Sequence, residues 1–120
     1  MQPQIFKPVE TDEFFIEEGV FILENLNSPD DPAASIARAR LPEGRQTRWH
    51  FLVGTVERYL IASGQGRVEV GDLLPTDVSP GDVVVIPAGI RQRIENTGSG
   101  DLVFFCVCTP RFRAENYREI

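Results

Sequence analysis

The 120-residue chain reads as an all-β domain, a sandwich or barrel of short antiparallel strands. Three observations point there. Short runs of β-branched and aromatic residues recur at close spacing, several alternating in period two, as in Arg67-Val68-Glu69-Val70. Turn signals built from Gly, Pro, Ser and Asp separate them, in SGQG, SPGD and NTGSGD. Helical periodicity is weak everywhere except in the closing RAENYREI, which follows the strand-stopping Pro110. A sheet of this kind must hide its edges, and a closed barrel or a two-sheet jelly roll does so.

The strand candidates run, in order, GVFILEN, ASIARARL, RWHFLV, ERYLIASG, GRVEVGD, GDVVVIPAG, QRIENTG and DLVFFCVC. The stretch NLNSPDDPAAS is the longest loop. No repeat, low-complexity tract or linker divides the chain, so residues 1–120 form one domain large enough to close a hydrophobic core. Within it the N-terminal strands fall across 5–26, a motif-bearing core across 34–110 and a tail across 110–120.

Eighteen acidic residues stand against twelve basic ones, a net charge of −6 with no basic block. Nucleic acid and anionic membrane are therefore excluded as expected partners, because both reward clustered Lys and Arg. The opening MQPQIFKPVE lacks a charged n-region followed by an apolar core, and no apolar run reaches bilayer length. The expected setting is cytoplasmic. Cys106 and Cys108 form a C-x-C whose side chains point the same way on a strand, a poor geometry for a disulfide. They read as small core residues, and spacing alone leaves open whether either reaches a pocket.

Two blocks stand out by spacing. The first is Gly44, five residues, His50, then Glu57, six residues and Gly64. The second is Gly81, five residues, Pro87, one residue, Gly89, two residues, Gln92, three residues and Asn96. Both frames fit without gaps the two motifs of the cupin superfamily, which the chain resembles over residues 44 to 96. The resemblance implies a single cupin-type jelly-roll β-barrel, a double-stranded β-helix. It also implies a homodimer, with the strand around Phe14 and Phe15 and the tail PRFRAENYREI as the candidate dimer elements.

The resemblance assigns metal ligands to the positions held here by His50, Leu52, Glu57 and Gln92. Leucine cannot coordinate, and glutamine offers only a neutral carbonyl oxygen. His50, Glu57 and Gln92 remain as candidate ligands for one divalent ion, Mn, Fe, Ni or Zn. The competing reading is a metal-free polar cluster in which the three satisfy one another. Period-two parity puts Arg48, His50 and Leu52 on one face, Glu57, Tyr59 and Ile61 on the next, and Gln92, Ile94 and Asn96 on a third. Arg48, Leu52, Tyr59 and Asn96 are the candidate ligand-binding residues, with the Arg48 fork suited to a carboxylate or phosphate. Glu57 and Tyr59 are the candidate proton-moving groups. Trp49, Arg91 and Arg93 have the opposite parity and belong outside, with Trp49 covered by another element or another subunit. Oxygen chemistry on iron or copper calls for two or three imidazoles, and the chain owns one histidine. The expected function is binding of a small polar molecule, a sugar, sugar phosphate or small carboxylate, with metal-assisted isomerase- or lyase-type chemistry. The alternative is a metal-free ligand-binding or sensor module.

Overall fold

A computed structural model describes residues 1–120. Eleven strands form with no α-helix: β1 (Phe14–Ile16), β2 (Val20–Leu26), β3 (Ser35–Leu41), β4 (His50–Leu52), β5 (Val56–Ser63), β6 (Gly66–Val70), β7 (Thr76–Val78), β8 (Val83–Ile86), β9 (Gln92–Asn96), β10 (Leu102–Thr109) and β11 (Tyr117–Glu119). They make two antiparallel sheets, a six-stranded one ordered β1-β2-β3-β10-β5-β8 and a five-stranded one ordered β11-β4-β9-β6-β7. This is the jelly roll expected from the strand spacing.

The motif turns are where the chain changes sheet. Gly64 lies between β5 and β6, Gly81 between β7 and β8, and Pro87-Ala88-Gly89 between β8 and β9, each pair split across the two sheets. The Gly81-Asp82 step is therefore not the opening of a hairpin, because β7 pairs with β6 while β8 pairs with β5. After Pro87 the Gly89 amide donates to the Leu52 carbonyl at 2.8 Å, and β9 begins with Gln92 buried.

Register decides what each strand carries inward. Leu102 pairs with Leu41 and Phe104 with Ile61, and these sit in a core cluster with Val68, Val78 and Ile94. Leu41, Leu102 and Ile94 have no exposed surface, and burying each large apolar side chain stabilises by about 1.5–3 kcal/mol. At the other end of the same strands Cys108 pairs with both Ser35 and Glu57, and Cys106 with Ala37 and Tyr59. The apolar core fills one end of the sandwich, while small and polar residues leave the other end open.

One sequence expectation, the helical tail, meets a different local structure. The closing RAENYREI is not helical: a single 3-10 turn at Ala114–Asn116 leads into β11, which pairs with β4. The tail is thus built into its own chain's second sheet. Trp49 is covered by Arg91 and Arg93, whose guanidiniums lie 5.0 and 4.3 Å from its ring centre. Arg38 and Arg40 face outward and bind the N-terminal acids. Arg38 reaches both carboxylate oxygens of Glu10 at 2.8 and 2.6 Å, and Arg40 reaches both of Glu13 at 3.1 and 2.7 Å. Phe14 and Phe15 of β1 are 45% and 51% exposed. No helix is long and apolar enough to cross a membrane.

Gly64 has φ +88°, and a Cβ there would lie 2.7 Å from the Asp101 carbonyl oxygen. Gly81 has φ +94° but open space around it. Gly64→Ala should therefore cost at least ~2–3 kcal/mol in urea unfolding, against about 1 kcal/mol for Gly81→Ala, because only the first adds a backbone clash to the strained conformation. Equal losses would contradict this account of the turn.

Candidate functional site

The open end of the sandwich is a cavity of about 410 Å³. Its walls come from the inward rows of β1, β2, β3, β5 and β10 on one side and from β4, β11 and the segment before β11 on the other. The polar groups facing it include Glu18, His50, Glu57, Tyr59, Cys106, Cys108 and Tyr117, with Asn27 and Ser35, among aromatic and aliphatic neighbours. Glu17, Glu24 and Glu119 also line it, and no Lys or Arg does.

His50 is buried, with Nδ1 2.9 Å from the Arg48 carbonyl oxygen. A carbonyl only accepts, so this contact assigns the proton to Nδ1 and leaves the Nε2 lone pair free in the neutral ring. Tyr117 stacks on the imidazole, with ring centres 5.1 Å apart and planes 22° apart. On the far side of Nε2, Oε1 of Glu18 lies at 3.8 Å. Glu18 belongs to the β1–β2 turn, and its side chain is only 12% exposed.

Beside His50 in the pairing of β4 with β9, Gln92 reaches from one sheet to β5 of the other. Its Nε2 donates to Glu57 Oε1 at 2.8 Å, and its Oε1 accepts the Tyr59 hydroxyl. The other Glu57 oxygen takes a weak contact from the Cys108 thiol at 3.9 Å. Burial, and then the charge of Glu18, push the Glu57 carboxyl up to about 7, against the opposing pull of His50 and the Gln92 hydrogen bond. Burial, and then Glu119, push Glu18 up to about 8. Burial and the neighbouring Glu57 also raise Tyr59 and Cys106, and carry Cys108 to about 12. At neutral pH the phenol and both thiols hold their protons, so neither cysteine is an activated nucleophile.

Among the residues proposed from sequence, His50, Leu52, Glu57 and Tyr59 line the cavity together. Arg48 does not: its side chain is 58% exposed and pairs with Glu119 at 3.2 Å. Strand parity fails there because β4 starts only at His50, and Thr47 instead turns in, buried against the Ile94 backbone. Asn96 is buried but away from the cavity. Its Nδ2 donates to the carbonyls of Leu41 and Gly100, and its Oδ1 accepts from the Gly98 amide, so it closes the turn after β9. Gln92 stands behind Glu57 and Tyr59 rather than in the cavity wall, with both ends of its amide engaged. The expected set of His50, Glu57 and Gln92 therefore does not fit a divalent metal, since Gln92 turns a bound oxygen and a donating nitrogen to its neighbours. No group of three His, Cys, Asp or Glu side chains is placed to hold one either.

Sequence reasoning passed over Glu18, Tyr117 and Glu119. Glu18 sits in Glu-Glu-Gly, which reads as a solvated turn, and Tyr117 lies in the stretch with a helical look. Nothing in either stretch marks a pocket. The position of both cysteines on the cavity wall follows from the register of β10 against β5 and β3.

These features define a double-stranded β-helix with a closed core at one end and an acid-lined cavity at the other. The family model for the cupin domain matches residues 37–108, and the chain belongs to the cupin family. An uncharacterized protein of Methanocaldococcus jannaschii is 32% identical over 82 residues, 68% of this chain and 65% of that protein. The match thus spans just under two thirds of that relative. Among solved structures, Pac13 of Streptomyces, a nucleoside dehydratase, superposes with a TM-score of 0.78 at 19% identity over 98% of this chain and 92% of Pac13. KdgF of a Halomonas species gives 0.77 at 17% identity over 91% and 96%. Identities this low establish a shared fold and nothing finer.

Because Glu18 and Glu57 hold protons in the native state that the unfolded chain releases near pH 4.5, their contribution to stability falls as pH rises. It is whole below about pH 4.5 and is lost as the pH climbs through about 7 and 8, with a slope near 1.4 kcal/mol per pH unit for each group. Carboxyls held down by arginine, such as Glu13 and Glu69, titrate below this window. The midpoint of thermal unfolding should fall between about pH 5 and 8.5, and Glu57→Gln should flatten the fall. A midpoint that rises over that interval would refute the assignment.

Proposed function

We propose that the cavity binds a small uncharged polyhydroxylated molecule and performs lyase- or isomerase-type chemistry on it by proton transfer. The observation that carries this is the bare Nε2 of His50 facing a cavity whose two buried carboxyls are pushed up to about 7 and about 8. An imidazole base opposite a protonated carboxyl is the pairing that removes a proton beside a carbonyl while donating to the oxygen that gathers charge.

His50 Nε2 takes the carbon-bound proton. The Glu57 carboxyl, held by Gln92, donates to the substrate oxygen. Tyr59 keeps the Gln92 amide oriented so that its nitrogen, not its oxygen, meets Glu57. Five glutamates and no Lys or Arg around the cavity favour a neutral sugar-like substrate over the sugar phosphates and small carboxylates that the resemblance also admits. The aromatic and aliphatic walls suit the carbon face of a ring, and the likeness in fold to a nucleoside dehydratase supports a lyase-type reaction. A metal-assisted version would need Gln92 to release Tyr59 and turn its oxygen inward.

The test is incubation in deuterated water with uridine and a panel of neutral aldoses and ketoses, followed by proton NMR. Deuterium entering a carbon beside a carbonyl, or a new alkene signal, is expected. His50→Ala should lower the rate by at least about 100-fold, while Arg48→Ala leaves it unchanged. Full activity after treatment with a chelator is expected. Activity lost to chelation and restored by a divalent ion would restore the metal-assisted reading, and saturable binding without turnover would make the protein a ligand-binding module.

A further inference from the structure

Glu18 lies outside the span matched by the cupin family model and outside both motifs. Yet the fold brings it to the one histidine by way of a single residue. The Arg48 amide donates to the Glu18 carbonyl at 3.2 Å, and the Arg48 carbonyl accepts from His50 Nδ1 at 2.9 Å. The N-terminal turn and the imidazole are thus fastened to the two backbone groups of Arg48, which leaves the Glu18 carboxyl 3.8 Å from Nε2. That gap is too wide for a direct hydrogen bond. It is the right width for one substrate oxygen to sit within hydrogen-bond distance of both groups. Tyr117, stacked on the ring, limits its sideways movement, and the buried Tyr117 hydroxyl has no partner within the protein.

We propose that Glu18 is the proton partner of His50, an acid supplied to the site from outside the family-matched core. The assignment rests on the lyase-type reading. His50 Nε2 takes the carbon-bound proton, and the neighbouring C–O bond breaks with its electron pair on oxygen. The Glu18 carboxyl protonates that oxygen, which leaves as water. The imidazolium then gives its proton to the Glu18 carboxylate, and both groups regain their starting states with no other reactant. Glu18 is equipped for the role because its carboxyl, pushed up to about 8, enters the cycle protonated. The groups facing it are His50 from β4, Glu57 and Tyr59 from β5, Cys106 from β10, and Tyr117 and Glu119 from β11. Glu119 is the neighbour that raises it.

His50 is the only histidine, so its ring gives a single set of nitrogen–proton correlations in a spectrum of the intact protein. Titrated from about pH 5 to about 9.5, the Nε2 shift should carry an inflection near pH 8 that reports Glu18. That inflection should vanish in E18Q, persist in E57Q, and move to lower pH in E119Q, a variant that leaves the pair itself intact. An inflection that survives in E18Q, or none in the wild-type protein, would overturn the pairing. No substrate is needed, so the two readings fail separately. A coupled pair in a protein that turns over no polyol would sink the lyase-type reading and with it the catalytic role of Glu18, leaving only the pairing. Turnover in a protein with an uncoupled histidine would sink Glu18 alone.

Discussion

The amide of Gln92 holds the site together, and the chemistry on either side of it depends on that. It reaches from the five-stranded sheet to the six-stranded one, giving a hydrogen to Glu57 and taking one from Tyr59. A side chain with both a donor and an acceptor end can satisfy a buried carboxyl and a buried phenol at once, which neither a hydrocarbon nor an ionised acid could do. The result is a hydrogen-bonded polar floor under the cavity. Glu57 can then remain buried with its carboxyl pushed up to about 7, and His50 lines the same cavity.

The placement of charge follows the same division between inside and outside. The arginines that might have drawn an anion into the barrel are used elsewhere. Arg38 and Arg40 clamp the N-terminal acids, Arg93 pairs with Glu69 beside Trp49, and Arg48 pairs with Glu119 at the rim. Glu18 and Glu57 are left with no arginine or lysine partner. Buried carboxylates without a cation take up protons rather than remain charged, and this makes Glu18 and Glu57 proton donors.

The family-matched core supplies His50, Glu57 and Tyr59, but it does not close the site alone. Glu18 comes from the turn ahead of it, and Tyr117 from the strand behind it. Both reach the same imidazole, one at its edge and one on its face. The turn before β2 and the strand β11 thus finish a pocket begun by the motifs.

Much of this was legible in the sequence alone. Short β-rich runs between turn signals placed eight of the strands, and period-two alternation supported several of them, since a half-buried strand must alternate whatever it packs against. The glycine and proline spacing marked the turns, and parity put Glu57 and Tyr59 on one inward face. What the sequence could not express is any distance between strands. Arg48 lost its inward face because the chain bends before β4, and Gln92 became a brace because Tyr59 and Glu57 meet its two ends. Glu18 became part of the site because a carbonyl in one turn accepts from an amide thirty residues later. Local pattern determined which residues can face inward. Pairing register and sheet-to-sheet contact, which join residues far apart in the chain, decided which of them meet.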